Sequence, residues 1–94
     1  NITASGNDVS NFMHGVACSD LSNSLINNNH LFNNKNGLLL VDVTESCIYS
    51  NNVEHNIECG ICVEHENNNS YLYLNRIFSN GQFDFYVMKK QFWT

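Results

Sequence analysis

The sequence predicts an all-β solenoid of about four rungs, each 22–24 residues long, and three observations carry that prediction. The first is a pattern written three times, in Ser24–Asn34, Ser46–Asn56 and Ser70–Asn80, at spacings of 22 and then 24 residues. Five columns agree: Ser24/Ser46/Ser70, Ile26/Ile48/Leu72, Asn29/Asn51/Asn75, Leu31/Val53/Ile77 and Asn34/Asn56/Asn80. Self-similarity at such a period marks units that bury an apolar side only against the next unit. The second is a short apolar run after a turn residue in every unit: Val16-Ala17-Cys18 after Gly15, Leu38-Leu39-Leu40 after Gly37, Ile61-Cys62-Val63 after Gly60, and Phe85-Tyr86-Val87 after Asp84. Short runs bounded in this way read as strands of a buried parallel sheet. The third is what lies between. About 10 residues join each run to the next IxxNxL segment, and they hold Asp, Thr, Ser and Asn with no apolar stripe of helical period.

Taken in order, residues 1–23 form a degraded first rung, in which Asn7, Val9 and Asn11 echo Asn29, Leu31 and Asn34 with one residue missing. Residues 24–45, 46–69 and 70–90 are regular rungs, and residues 91–94 are a tail or a cap over the last of them. The single repeat domain 1–94 with a ragged first coil predicts a piece of a longer solenoid. Each rung reads as a strand after the glycine, a turn, a second strand at Ile26, Ile48 or Leu72, an asparagine corner, and a short third strand at Leu31, Val53 or Ile77. Equivalent positions then lie one strand spacing apart, about 4.7–4.9 Å. Asn29, Asn51 and Asn75 form one ladder at that spacing, and Asn34, Asn56 and Asn80 a second, with side-chain amides bonded to one another and to the turn backbone. A leucine-rich repeat has a similar period, but its second leucine position is held here by Asn29, Asn51 and Asn75. An amide cannot replace that packed leucine.

Composition narrows the function classes. Proline is absent and glycine occurs five times, so the turns fall largely to the eighteen asparagines, which tolerate left-handed backbone. A net charge of −5 with four Lys and Arg argues against nucleic acid as a partner, because binding phosphates needs clustered cations. No apolar run approaches the roughly 20 residues of a membrane-spanning helix, so no membrane partner is expected. Cys59 and Cys62 form a CxxC, which in isolation is a redox pair or half of a zinc site. With Cys62 inside a strand, Cys18 in the column of Leu40, Val63 and Val87, and no second CxxC, the cysteines are expected to be structural thiols and no metal site is expected.

The form IxxNxLxxN followed by Gly-apolar, running from about Asn7 to Lys90, resembles the right-handed parallel β-helix repeats of pectate-lyase-like proteins. That group includes the carbohydrate-binding and sugar-hydrolase repeats and the F-box and SHC-binding β-helix proteins. The resemblance implies a right-handed parallel β-helix. Where such proteins act on polysaccharide, it implies acidic residues beside one sheet, with Ca²⁺ as the cofactor of a lyase. Counting five from the residue at the glycine position gives Asp20, Asp42, His65 and Lys89 in one column, and Asp20, Asp42 and His65 are the candidate acid/base cluster. Tyr49 and Tyr73 share a column with Asn27 and are the candidate ligand-binding residues, as an aromatic strip for sugar rings or a partner protein. Rungs of 22–24 residues leave no long loops to wall a cleft. The sequence is therefore read as a noncatalytic scaffold or binding module that presents a flat face to a protein or polysaccharide and needs no cofactor. The alternative is a segment of a polysaccharide lyase or glycoside hydrolase.

Overall fold

A computed structural model describes residues 1–64 and 69–88. Among them, each rung holds two strands of three residues and one of six. The first rung is β1 (Thr3–Ser5), β2 (Asp8–Ser10) and β3 (His14–Ser19); the second is β4 (Leu25–Asn27), β5 (His30–Phe32) and β6 (Asn36–Val41). The third is β7 (Cys47–Tyr49), β8 (Asn52–Glu54) and β9 (Cys59–Glu64), and the fourth is β10 (Tyr71–Tyr73), β11 (Arg76–Phe78) and β12 (Phe83–Met88). Strands pair only with their counterparts in neighbouring rungs, and every pair is parallel. Three four-stranded sheets result, β1-β4-β7-β10, β2-β5-β8-β11 and β3-β6-β9-β12, so the chain is the parallel β-helix that its repeats predict.

Left-handed backbone bends the rung at its corners. In the second rung Asn23 (φ 52°), Asn28 (φ 56°), Asn33 (φ 55°) and Asp42 (φ 53°) supply it, and in the third Glu45 (φ 49°), Ser50 (φ 55°) and His55 (φ 54°) stand at the equivalents of the first three. Asparagine adopts this region at low cost, and Asn11, Asn23, Asn28, Asn33 and Asn69 do so among the described residues, but Asp, Ser, Glu, His and Leu fill the other left-handed positions, so the turns are less an asparagine task than the composition predicts. The residue after each of these three bends turns inward: Ser24 and Ser46, Asn29 and Asn51, Asn34 and Asn56 are all buried. Their polar atoms are satisfied along the helix axis. Asn51 Oδ1 accepts from both the backbone N–H and the side-chain amide of Asn29, each at 3.0 Å, while Asn51 Nδ2 donates to Ile26 O at 3.0 Å and to Asn75 Oδ1 at 3.0 Å. In the second ladder Asn56 Oδ1 accepts from the Asn34 N–H at 3.0 Å, and Asn56 Nδ2 donates to Leu31 O and to Asn80 Oδ1. The first rung departs from its expected alignment. No residue is missing there: Asn11 lies beside Asn33, and Phe12 takes the ladder position, its N–H donating to Asn34 Oδ1 at 3.0 Å.

Between the ladders the side chains stack in register. Ile26 lies on Ile48, Leu31 on Val53, Leu38 on Ile61 and Leu40 on Val63, and these form one buried cluster. Each such side chain withdrawn from water contributes about 1.5–3 kcal/mol before the entropy of ordering it. The glycine column is kept clear by close approach. A Cβ on Gly37 would stand 2.5 Å from Val53 Cγ1, 2.7 Å from Gly60 O and 2.8 Å from Asn56 Nδ2. The fourth rung lies at the rim, so Phe85 and Val87 occupy inward columns yet stay 45% and 48% exposed.

Candidate functional site

Each sheet presents its alternate residues outward, and three different surfaces result. On the first sheet Tyr49 and Tyr73 are adjacent in register, and their rings stack 5.1 Å apart at 2° to one another. Tyr49 Oη accepts from Asn27 Nδ2 at 3.1 Å, so the column Asn27/Tyr49/Tyr73 is continuous. The strip expected from the sequence is therefore formed, but its rings face each other along the helix axis. What it turns to solvent is ring edges and hydroxyls, bordered by the exposed Leu25 and Tyr71. Asn23, Glu45, Cys47, Asn69 and Tyr71 line a shallow depression beside it.

The second sheet carries charge. His30 Nδ1 lies 3.2 Å from Asp8 Oδ1 and His30 Nε2 lies 3.2 Å from Glu54 Oε2, so one imidazole joins carboxylates of the first and third rungs. His55 Nε2 reaches Glu54 Oε1 at 3.5 Å, and the His30 and Phe32 rings stack at 4.3 Å. Arg76 lies over the Phe78 ring, 5.1 Å from its centroid. This line of residues was not singled out from the sequence, because unlike residue types fill its columns. The signal lay in the columns Asp8/His30 and Phe32/Glu54, which the repeat alignment already implied.

On the third sheet an open cleft of about 290 Å³ is lined by Asn36, Glu58, Cys59, Cys62, Glu64 and, from the next rung, Gln82, Phe83 and Tyr86. Cys59 is buried and Cys62 half-buried, and their thiols hydrogen-bond to one another. Cys59 Sγ also donates to Ile61 O at 3.3 Å, and Cys62 Sγ lies 3.8 Å from Asn36 Oδ1. Burial raises both thiol pKa values. For Cys59 the bond to Cys62 and the negative charges of Asp84 and Glu58 add to it. Cys62 thus faces outward into this cleft, rather than packing as an interior hydrophobe.

The acid/base column falls at the turn that ends the long strand. Asp20 and Asp42 follow the paired Ser19 and Val41 and share left-handed φ values of 56° and 53°. Their N–H groups donate to Val41 O at 3.0 Å and Glu64 O at 3.3 Å. Asp20 is exposed and Asp42 half-buried. His65 and Lys89 lie outside the described residues, as does the tail 91–94.

No curated protein and no solved structure matches the chain. A protein-family model matches residues 1–94, and the chain accordingly belongs to the family described as periplasmic copper-binding protein (NosD).

Proposed function

We propose that this β-helix is a noncatalytic binding module and that its first sheet is the face that meets a partner protein. The observation that carries the reading is the group of exposed side chains Leu25, Tyr71 and Tyr73 on the first sheet. Tyrosine edges and hydroxyls beside exposed apolar side chains suit a protein partner, because aromatic residues supply contact area together with a polar handle. A sugar ring would need an open aromatic face, and Tyr49 and Tyr73 spend the faces between them on each other. Against catalysis stands the form of the rungs: Asp20 and Asp42 sit on a turn, and the joins from β4 to β5 and from β7 to β8 are only two residues long. A carboxylate on an open turn is not shielded from water.

The test is a photo-crosslinking residue placed at Tyr73, and separately at Asn33 on another corner, in the cells that make the protein. One discrete adduct at position 73, absent at position 33 and lost on adding Tyr71→Ala, supports the reading. Binding to a polysaccharide panel that depends on Tyr73 would transfer the face to a glycan. Turnover of such a polysaccharide, with or without Ca²⁺, that disappears in Asp42→Asn would replace the scaffold by a lyase or hydrolase.

The family's description introduces copper, and the donor set decides what form could be held. Among the described residues no group of three or more His, Cys, Asp and Glu converges on one point. Cu(II), which takes several nitrogen and oxygen donors in a tetragonal array, does not fit them. Cu(I) prefers soft sulfur donors, and the paired thiols of Cys59 and Cys62 fit that preference.

A further inference from the structure

We infer that Cys59 and Cys62 form a two-thiolate site for Cu(I) in the cleft on the third sheet, away from the tyrosine face. The inference takes the metal class from the family reading and adds the residues that hold it.

Three features place the site here. First, the two cysteines of β9 are placed on the same outer side of the rung. Asn34 and Gly37 are three residues apart, whereas Asn56 and Gly60 are four apart, so the third rung carries one more residue at this corner. Cys59 pairs in register with Asn36, and Cys62 with Leu39. Cys59 and Cys62 both line the same outer cleft, so strict in-out alternation does not hold across Gly60. Second, access and shielding are both provided. Cys62 is half-buried and Cys59 is 3% exposed, with Phe83 and Tyr86 of the next rung against them, their rings 4.9 Å apart. A soft cation can enter from the open side and lose water against the aromatic rings. Third, the field favours a cation. Glu58 and Glu64 line the cleft, and Lys35, the cation paired with Glu58, is 3.7 Å from that carboxylate and is not among the lining residues.

The chemistry balances simply. Two thiols lose their protons to solvent as two sulfur–copper bonds form, and copper enters and stays as Cu(I). No electron is exchanged. The remaining cysteines cannot substitute: Cys18 is buried in the core cluster and Cys47 lies on the first sheet.

The experiment is anaerobic titration of the reduced protein with Cu(I) held by a chromophoric chelator such as bicinchoninate. The expected result is withdrawal of a single copper per chain, an ultraviolet thiolate-to-copper charge-transfer band, and release of about two protons per copper at neutral pH. Cys62→Ser and Cys59→Ser should each abolish the band and the withdrawal, and Cys47→Ser should leave both unchanged. Cys62→Ser keeps the test decisive if the buried Cys59→Ser chain fails to fold. Withdrawal that survives in a folded Cys62→Ser protein overturns the site while leaving copper binding by the chain intact. No withdrawal by the native chain overturns both, and the crosslinking result on the first sheet is unaffected by either outcome.

Discussion

Asp84 Oδ1 accepts two hydrogen bonds from Asn80, one from its backbone N–H at 2.9 Å and one from its side-chain amide at 3.0 Å. In the third rung the same two donors of Asn56 both meet Asn80 Oδ1 of the following rung, and in the second the N–H of Asn34 meets Asn56 Oδ1. Asp84 stands one residue before Phe85, the position that Gly37 and Gly60 hold before Leu38 and Ile61. There a side chain is excluded because the next asparagine fills the space: a Cβ on Gly60 would meet Asn80 Nδ2 at 2.5 Å. The fourth rung thus supplies from within itself the acceptor that a neighbour supplies elsewhere. Asp84→Ala should lower the unfolding free energy by about 1 kcal/mol, the usual worth of such bonds at a partly exposed site. Asp84→Asn retains the acceptor and should stay near the native value in the same urea titration.

Asn51 has the opposite situation, a ladder amide with rungs on both sides. Truncation in Asn51→Ala strands the N–H and one amide hydrogen of Asn29 and removes the donor to Ile26 O, all in the buried interior. Buried groups left unpaired cost about 1–3 kcal/mol each, so a loss on the order of 3–4 kcal/mol is expected. Asn75→Ala removes equivalent bonds at the more exposed fourth rung, where water can replace part of what is lost. Its cost should be clearly smaller. Equal losses in the two variants, measured by thermal or urea unfolding, would contradict the ladder as the organising element.

Leu74 occupies the corner held by Asn28 and Ser50 in the preceding rungs, with φ 56°, and is 78% exposed. A leucine there has the steric cost of left-handed backbone and buries little in return. Leu74→Asn should therefore stabilise the fold by about 0.5–1 kcal/mol, seen as a rise in Tm. Leu74→Ile, which adds a branch at Cβ, should do the reverse. An unchanged or lowered Tm for the asparagine variant would mean that the leucine makes a contact its exposure does not reveal.

These cases show what the sequence could and could not disclose. A repeat is legible because identical columns must perform identical tasks, so the ladders, the glycine column and the apolar stacks could all be read from Ser24 to Asn80. The first rung was harder, since Phe12 takes a ladder position by accepting nothing itself and merely donating its N–H to Asn34 Oδ1. No amide marks such a place. The surfaces were less legible still. Outward residues are free to differ from rung to rung, so the link from His30 to Asp8 and Glu54 appears only once strands are paired across the axis. The Tyr49–Tyr73 column was readable as a column, whereas the mutual stacking of its rings depends on side-chain torsions. The shared cleft of Cys59 and Cys62 was not legible, because strict in-out alternation, which sequence spacing assumes, does not hold across Gly60.

Burial of these thiols also gives the protein an alkaline weakness. Burial holds the Cys59 thiol well above its ordinary pKa, with the bond to Cys62 and the charges of Asp84 and Glu58 adding to it, and burial raises Cys62 and Cys18 as well. In the unfolded chain these thiols ionise near their ordinary value of about 9. Above that pH the unfolded state binds fewer protons than the folded one, so stability falls as pH rises. Below it both states keep the protons and the stability is fully present. The expected record is a flat unfolding free energy from neutral pH to about pH 8.5, followed by a decline toward pH 11 that is shallower in Cys59→Ala than in the native chain. Comparing the two proteins cancels the titration of tyrosine and lysine, which they share. Parallel declines would show that the Cys59 thiol ionises as readily in the fold as outside it, and that the cleft does not shield it.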